Sequence, residues 1–176
     1  MRLAMTIDLE RCIGCHACVT ACKERWDTGP GAQRCWVNEY EHGERGKDLG
    51  VSFYPGLCMQ CAEHPCTQDC PTGATYRTET YTAVDQQRCI ACRLCMMVCP
   101  FGAIHVARTD VGGREKPAAF KCDLCVQRPG GPACVEACPT GALSLRFPRE
   151  VAERTGELVA RQFLEALKGQ RTLTSR

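Results

Sequence analysis

Cysteine is the residue type whose spacing in this chain can do chemistry. The stretch Cys89-Ile-Ala-Cys92-Arg-Leu-Cys95-Met-Met-Val-Cys99-Pro100 sets three thiols at two-residue gaps, then a fourth three residues on, before a proline. That spacing wraps a [4Fe–4S] cubane: three thiolates reach it from one loop, while the fourth lies about a helical turn further on and serves a second cluster. Three further runs follow the same logic. They are Cys12-x2-Cys15-x2-Cys18-x3-Cys22, Cys58-x2-Cys61-x4-Cys66-x3-Cys70-Pro71 and Cys122-x2-Cys125-x8-Cys134-x3-Cys138-Pro139.

The runs are duplicated. Ile7-Asp8 and Arg11-Cys12-Ile13-Gly14-Cys15 match Val84-Asp85 and Arg88-Cys89-Ile90-Ala91-Cys92. The second and fourth runs share the ending Cys-Pro-Thr-Gly-Ala, so the order is A, B, A′, B′. Of the 17 cysteines, sixteen give four ligands to each of four clusters and leave Cys35 as a free thiol. Spacing alone leaves open which runs exchange their fourth ligands.

Two other thiol chemistries compete. A disulfide framework suits small secreted domains, and no secretion signal precedes Cys12. Structural zinc uses two separated Cys-x2-Cys pairs, whereas the first and third runs each put three thiols into seven residues. The histidines His16 and His64 fall inside cluster loops that already have four cysteines, so they are read as loop or surface residues. No nucleophile with a base, phosphate loop or nucleotide fingerprint is present, and catalysis is assigned to another chain.

The elements that must position these thiols are short. Leu3, Met5 and Ile7 alternate as a strand into the first run. Lys23 stands where the other runs have proline, so that run is expected to continue as helix through Trp26. Cys35–Tyr40 and Val51–Tyr54 are expected to form a hairpin, Thr75–Val84 another, and Ala103, Ile104 and Val106 a short strand before a turn at 110–114. Leu143–Phe147 reads as the last strand. After Pro148 the cysteines stop, and an amphipathic helix is expected, with residues 170–176 frayed.

Composition bounds the rest. Apolar residues make up 44% and aromatics only 6%, so clusters are expected to replace part of the core and to supply much of the folding free energy. With 22 basic and 20 acidic residues, net charge +2, the chain has no nucleic-acid footprint. No stretch approaches the roughly 20 apolar residues of a membrane helix, and no leader is read before Cys12. The cytoplasm is therefore expected, with periplasmic co-export on a partner as the alternative.

The x4 gap of the second run and the x8 gap of the fourth resemble the four-cluster electron-transfer subunits of the dimethyl sulfoxide reductase group. These include the iron–sulfur subunits of polysulfide, formate and related molybdenum or tungsten enzymes, and of formate hydrogenlyase. The fourth run is similar to that of the small soluble members serving tungsten aldehyde oxidoreductases and carbon monoxide dehydrogenase. The resemblance covers about residues 3–147. It implies that the first run pairs with the fourth and the second with the third. Carried over, Cys12, Cys15, Cys18 and Cys138 hold one cluster, and Cys22, Cys122, Cys125 and Cys134 its neighbour. Cys58, Cys61, Cys66 and Cys99 hold a third, and Cys70, Cys89, Cys92 and Cys95 the fourth. Some relatives put tryptophan in the third run and hold [3Fe–4S]; Cys92 and its neighbours are intact here, which implies four [4Fe–4S] clusters.

The fold expected is α+β: two intertwined bacterial-ferredoxin-like, βαβ-type double-cluster modules with an inserted hairpin and a C-terminal helix. Residues 1–26 and 101–147 would form the first module, 27–57 the insertion, 58–100 the second module and 148–176 the helical tail. The implied role is a non-catalytic electron-transfer subunit that relays single electrons between a molybdenum- or tungsten-pterin subunit and a second redox protein, with a flavin protein among the candidates. Self-association is left open. A free polyferredoxin and a non-redox metal–thiolate assembly protein are the alternatives. Lys23, Arg93 and Lys121 lie near ligands, where each reads either as a charge raising a cluster potential or as a solvated surface charge.

Overall fold

Short strands join the cysteine runs in a computed structural model, which describes residues 3–28 and 31–147 together with Glu157 and Ala160. The strands are β1 (Ala4–Ile7), β2 (Cys35–His42), β3 (Gly50–Leu57), β4 (Thr75–Arg77), β5 (Thr82–Val84), β6 (His105–Asp110), β7 (Glu115–Phe120) and β8 (Leu143–Arg146). The helices are α1 (Ala17–Trp26), α2 (Pro65–Gln68), α3 (Leu94–Met97) and α4 (Ala133–Glu136). The strands form antiparallel pairs: β1 with β8, β2 with β3, β4 with β5 and β6 with β7.

The duplication in sequence is also one of hydrogen bonding. Ile7 lies opposite Leu143 and Thr75 opposite Val84. Beyond each pair, Asp8 N–H donates to Ala142 O at 2.8 Å and Asp85 N–H donates to Ala74 O at 2.7 Å. The strand leading into the first run thus lies beside the strand leaving the fourth. The strand leading into the third lies beside the one leaving the second. Helix α1 packs on α4, and α2 on α3.

Thiols stand in the core where aliphatic side chains would otherwise be. Cys18, Cys22, Cys35 and Cys134 are buried with Met5, Leu57, Leu124 and Leu143. A second group centres on Cys95, Ile104 and Ala119, with Cys66, Cys89 and Cys99 packed against it.

Several expectations need adjusting. The hairpin β2–β3 is longer than the segments 35–40 and 51–54, and its base, the register pair Cys35 and Leu57, is buried. The strand expected at Ala103 begins at His105, because Ala103 and Ile104 are spent as buried residues ahead of it. Strand β7 has no counterpart in the sequence pattern: Glu115, Lys116 and Pro117 break its apolar alternation, and Ala118, Ala119 and Phe120 are its buried end. The hairpin β6–β7 packs beside the second and third runs: Val106 and Ala119 lie with Cys66, Cys89, Cys95 and Cys99, and Ala119 N–H donates to Cys89 Sγ. The tail helix lies outside the described residues, apart from helical Glu157 and Ala160.

Candidate cluster-binding site

Each run begins with the same backbone turn. The residue two after the first cysteine is left-handed in all four: Gly14 (φ 67°), Gln60 (φ 51°), Ala91 (φ 57°) and Leu124 (φ 62°). His16 (φ 60°) and Arg93 (φ 67°) repeat it two residues later in the first and third. Left-handed residues turn successive N–H groups toward one side, which makes a nest for anionic sulfur. Ala91 N–H donates to Cys89 Sγ and Leu124 N–H to Cys122 Sγ, both at 3.4 Å. After three of the fourth cysteines a second turn follows, closed by Gly73 N–H on Cys70 O, Gly102 N–H on Cys99 O and Gly141 N–H on Cys138 O. Arg88 lies over Gly73 and Arg11 over Gly141, each 3.1 Å from where a Cβ would stand. Arg88 also donates to Thr72 O at 2.7 Å, tying the third run to the second.

These loops and strand pairs bring cysteines from separate runs together. One cavity has Cys58, Cys61, Cys66 and Cys99 in its wall. Another has Cys70, Cys89, Cys92 and Cys95. In the core near α1 and α4, Cys18, Cys22 and Cys134 are buried, with Cys122 and Cys138 packed against them. Cys12 and Cys15 are carried by the first loop, half-buried and exposed respectively.

Burial pushes the Cys22 and Cys95 thiols up to about 11 and Cys134 to about 12, with the neighbouring cysteines adding to it. Cys122 is pushed up by burial, with Cys58 and Cys134 contributing, so the second and fourth runs meet there. At Cys70 burial acts upward too, but hydrogen bonds from Thr75 and Thr72 outweigh it and bring the thiol down to about 7. Its counterpart Cys138 is lowered in the same way by Leu143 N–H and Thr140. A thiol contact from Cys35 is the main cause that holds Cys18 down to about 7, and the same contact, with burial, pushes Cys35 up. The contact thus moves Cys18 toward the thiolate, the form that binds iron, and Cys35 away from it.

The donor set is thiol sulfur backed by backbone N–H, the chemistry an iron–sulfur cluster requires. The thiols stand around hollows. Among the described residues no group of three or more His, Cys, Asp or Glu side chains is placed to hold one metal ion. A polynuclear centre that fills the space between them fits this arrangement.

Some site residues carry no cysteine signal. Lys121 is 2% exposed, which removes the solvated-surface reading. Its ammonium donates to Thr82 O at 2.8 Å and to Thr82 Oγ1. Gln60 Oε1 accepts from Thr82 N–H at 2.7 Å and from its hydroxyl at 2.9 Å, while Gln60 Nε2 donates to Cys122 O at 2.8 Å. Arg34 stacks 4.1 Å over Trp26 and donates to Lys121 O at 3.1 Å. Their only sequence cue is adjacency: Gln60 precedes Cys61 and Lys121 precedes Cys122. Arg93 is exposed and Lys23 half-buried. His16 is an exposed loop residue; His64 stands just before α2, with Nδ1 2.8 Å from Thr67 Oγ1 and no side-chain bond to the helix backbone.

Residues 49–147 match the 4Fe-4S dicluster domain family, and residues 3–24 match a 4Fe-4S binding domain. YsaA of Escherichia coli (strain K12) is 40% identical over 136 residues, covering 77% of this chain and 84% of YsaA. The electron transport protein HydN of the same organism is 36% identical over 149 residues, covering 77% of this chain and 83% of HydN. A tetrathionate reductase subunit of Salmonella typhimurium is 38% identical over 146 residues, covering 80% of this chain and 56% of that relative, so the chain spans about half its length. With the cysteine loops, the paired strands and these matches, the chain belongs to the 4Fe-4S dicluster family of ferredoxin-like electron-transport proteins.

Proposed function

We propose that this chain is the electron-transfer subunit of a larger oxidoreductase and holds four [4Fe–4S] clusters on sixteen cysteines. The ligand sets are Cys12, Cys15, Cys18 and Cys138; Cys22, Cys122, Cys125 and Cys134; Cys58, Cys61, Cys66 and Cys99; and Cys70, Cys89, Cys92 and Cys95. The observation that carries this reading is the composition of the two cavity walls, since each combines three cysteines of one run with the fourth cysteine of another. Runs one and four form one double-cluster module and runs two and three the other, in keeping with the strand pairs β1–β8 and β4–β5. The hairpin β6–β7 goes with the second module.

Each cluster, when bound, takes up and releases one electron. The chain's residues shape how that happens. The loop N–H groups stabilise negative sulfur, and burial keeps water from the inner thiols. Gln60, in the second run, donates to Cys122 O in the fourth at 2.8 Å, so the sets containing Cys58 and Cys122 are taken as the adjoining inner ones and those containing exposed Cys15 and Cys92 as the ends. Exposed Ile13 and Ile90 beside those end loops offer apolar contacts for partners. A molybdenum- or tungsten-pterin subunit at one end and a second redox protein at the other complete the reading. It rests on the family and on relatives named as an electron transport protein and a reductase subunit. Among the described residues no helix is long and apolar enough to cross a membrane. The cytoplasm is the compartment proposed, and fractionation separates it from periplasmic co-export.

The test is anaerobic purification of the native protein with iron, sulfide, zinc, molybdenum and tungsten measured together. About sixteen irons per chain with a stoichiometric pterin subunit is the expected result. Zinc in place of iron overturns the cluster reading, and a fully loaded chain that purifies alone points to a free polyferredoxin.

A further inference from the structure

Lys121 is a buried cation whose charge nothing among the described residues neutralises. Its two hydrogen bonds go to Thr82, whose carbonyl and hydroxyl are neutral. None of the ion pairs among the described residues, taken to 4.0 Å, includes it. The adjacent carboxylate, Asp123, faces Arg34 at 3.4 Å. Burying an ammonium with neutral partners alone is costly, and native structures keep such a group where an anion sits nearby. Lys121 lines two cavities: an open one that also holds Asp85, Asp110 and Asp123, none of them within ion-pair distance of it, and the one walled by Cys58, Cys61, Cys66 and Cys99. At Cys66 burial pushes the thiol up and the Lys121 charge is the largest opposing influence, so the cation acts on that wall.

From this geometry we infer that Lys121 sets the reduction potential of the cluster held by Cys58, Cys61, Cys66 and Cys99, making it the most readily reduced of the four. The inference rests on the four-cluster reading above. A cubane on four thiolates is an anion in both oxidation states and carries one further negative charge when reduced. A fixed buried cation favours the more negative state. The electron comes from a reduced neighbouring cluster, which is oxidised in the exchange, and no proton moves. The site is built to hold its geometry. Gln60 accepts from Thr82 and donates to Cys122 O, so the ammonium is anchored where the second and fourth runs meet. An electron on the wire would come to rest there, beside the set containing Cys122.

The test uses the full, cluster-loaded chain in an anaerobic redox titration followed by electron paramagnetic resonance, for wild type, Lys121→Met, Lys121→Arg and Thr82→Val. In Lys121→Met one signal is expected to need a more negative potential, with at least a tenfold lower reduced-to-oxidised ratio at fixed potential (about 59 mV for one electron). The other three stay in place. Lys121→Arg keeps the charge and is expected to titrate close to wild type. Thr82→Val removes the hydroxyl contact, keeps the carbonyl one, and so loosens the ammonium; the same signal is expected to shift in the same direction by less. The shifted signal is expected to be the one altered in Cys66→Ser. Loaded Lys121→Met that titrates as wild type, or that moves all signals equally, overturns the inference while four clusters in wild type leave the wire reading intact. If Lys121→Met does not load, an unshifted Thr82→Val overturns it. Wild type lacking about sixteen irons instead removes the reading on which it stands.

Discussion

The first and third runs share their cysteine spacing and diverge just past it. Both curl through left-handed residues, at Gly14 and His16 in one and at Ala91 and Arg93 in the other. After Cys99 comes Pro100, which has no N–H to continue a helix, and α3 stops at Met97. After Cys22 comes Lys23, and α1 runs on to Trp26, where Asp27 in the left-handed region caps it. The extra turns carry the chain into the β2–β3 insertion, while the third run turns back at Gly102 to build its own second core. The residue after the fourth cysteine thus differs between the run that turns back locally and the run whose helix carries the chain on to new surface. The loop itself is indifferent to that choice, because its shape is set by the cysteines and the left-handed residues between them.

Crossing of the fourth ligand is where this comparison can be broken most visibly. Cys22→Ser is expected to cost the cluster held through the fourth run, about four of about sixteen irons, and Cys99→Ser the one held through the second. Iron analysis of each variant combined with a substitution in its own run checks this. Loss of two clusters from Cys22→Ser with Cys15→Ser, against one from Cys22→Ser with Cys125→Ser, is the expected pattern.

Next in size is the left-handed position itself. Gly14→Ala would place a Cβ 2.4 Å from the Phe53 ring at φ 67°, so a loss of about 2–4 kcal/mol is expected from strain and overpacking together. Ala91, its counterpart, already bears that strain, and Ala91→Gly is expected to gain up to about 1 kcal/mol. Denaturant midpoints of the loaded protein, kept anaerobic, measure both.

Swapping the deciding residue comes third. Lys23→Pro removes an intrahelical N–H and sets the ring against the Val19 carbonyl, for a loss of about 3 kcal/mol. Pro100→Lys is expected to stay within about 1 kcal/mol, since Gly102 still turns the chain. A helix-content measurement on Pro100→Lys showing a longer α3 would assign the stop to proline alone.

The smallest effect is expected at the leftover cysteine. Cys35→Ala should leave iron content unchanged and cost about 1 kcal/mol for a small buried void. Loss of a cluster in that variant would make Cys35 a ligand and undo the assignment of Cys18.

What could be read in advance follows the range of the interaction. The thiol spacing, the A, B, A′, B′ order, the hairpin of 35–40 with 51–54 and the hairpin at 75–84 are local patterns, and each is present in the structure, the first hairpin longer than its pattern. Strand β7 is not legible in the sequence because Lys116 and Pro117 hide its period; it is held by β6 and by Cys89, whose Sγ accepts from Ala119 N–H at 3.4 Å. Glu115 pairs with Arg108 across that hairpin at 3.1 Å, a contact that no run of neighbours in sequence reveals.

Sequence alone determined the chemistry of the donors and the shape of each loop, because a ligand spacing of two or three residues fixes how a few consecutive dihedrals must turn. Only the tertiary structure decided which loops share a cavity wall, that Cys35 is buried in one cluster with Cys18, and that Lys121 is buried against Thr82 and not solvated. Those depend on burial and on groups brought together from separate stretches of the chain, as with Lys121 and Thr82 or Arg34 and the Lys121 carbonyl, and desolvation is a property of the packed molecule that no single stretch of chain possesses.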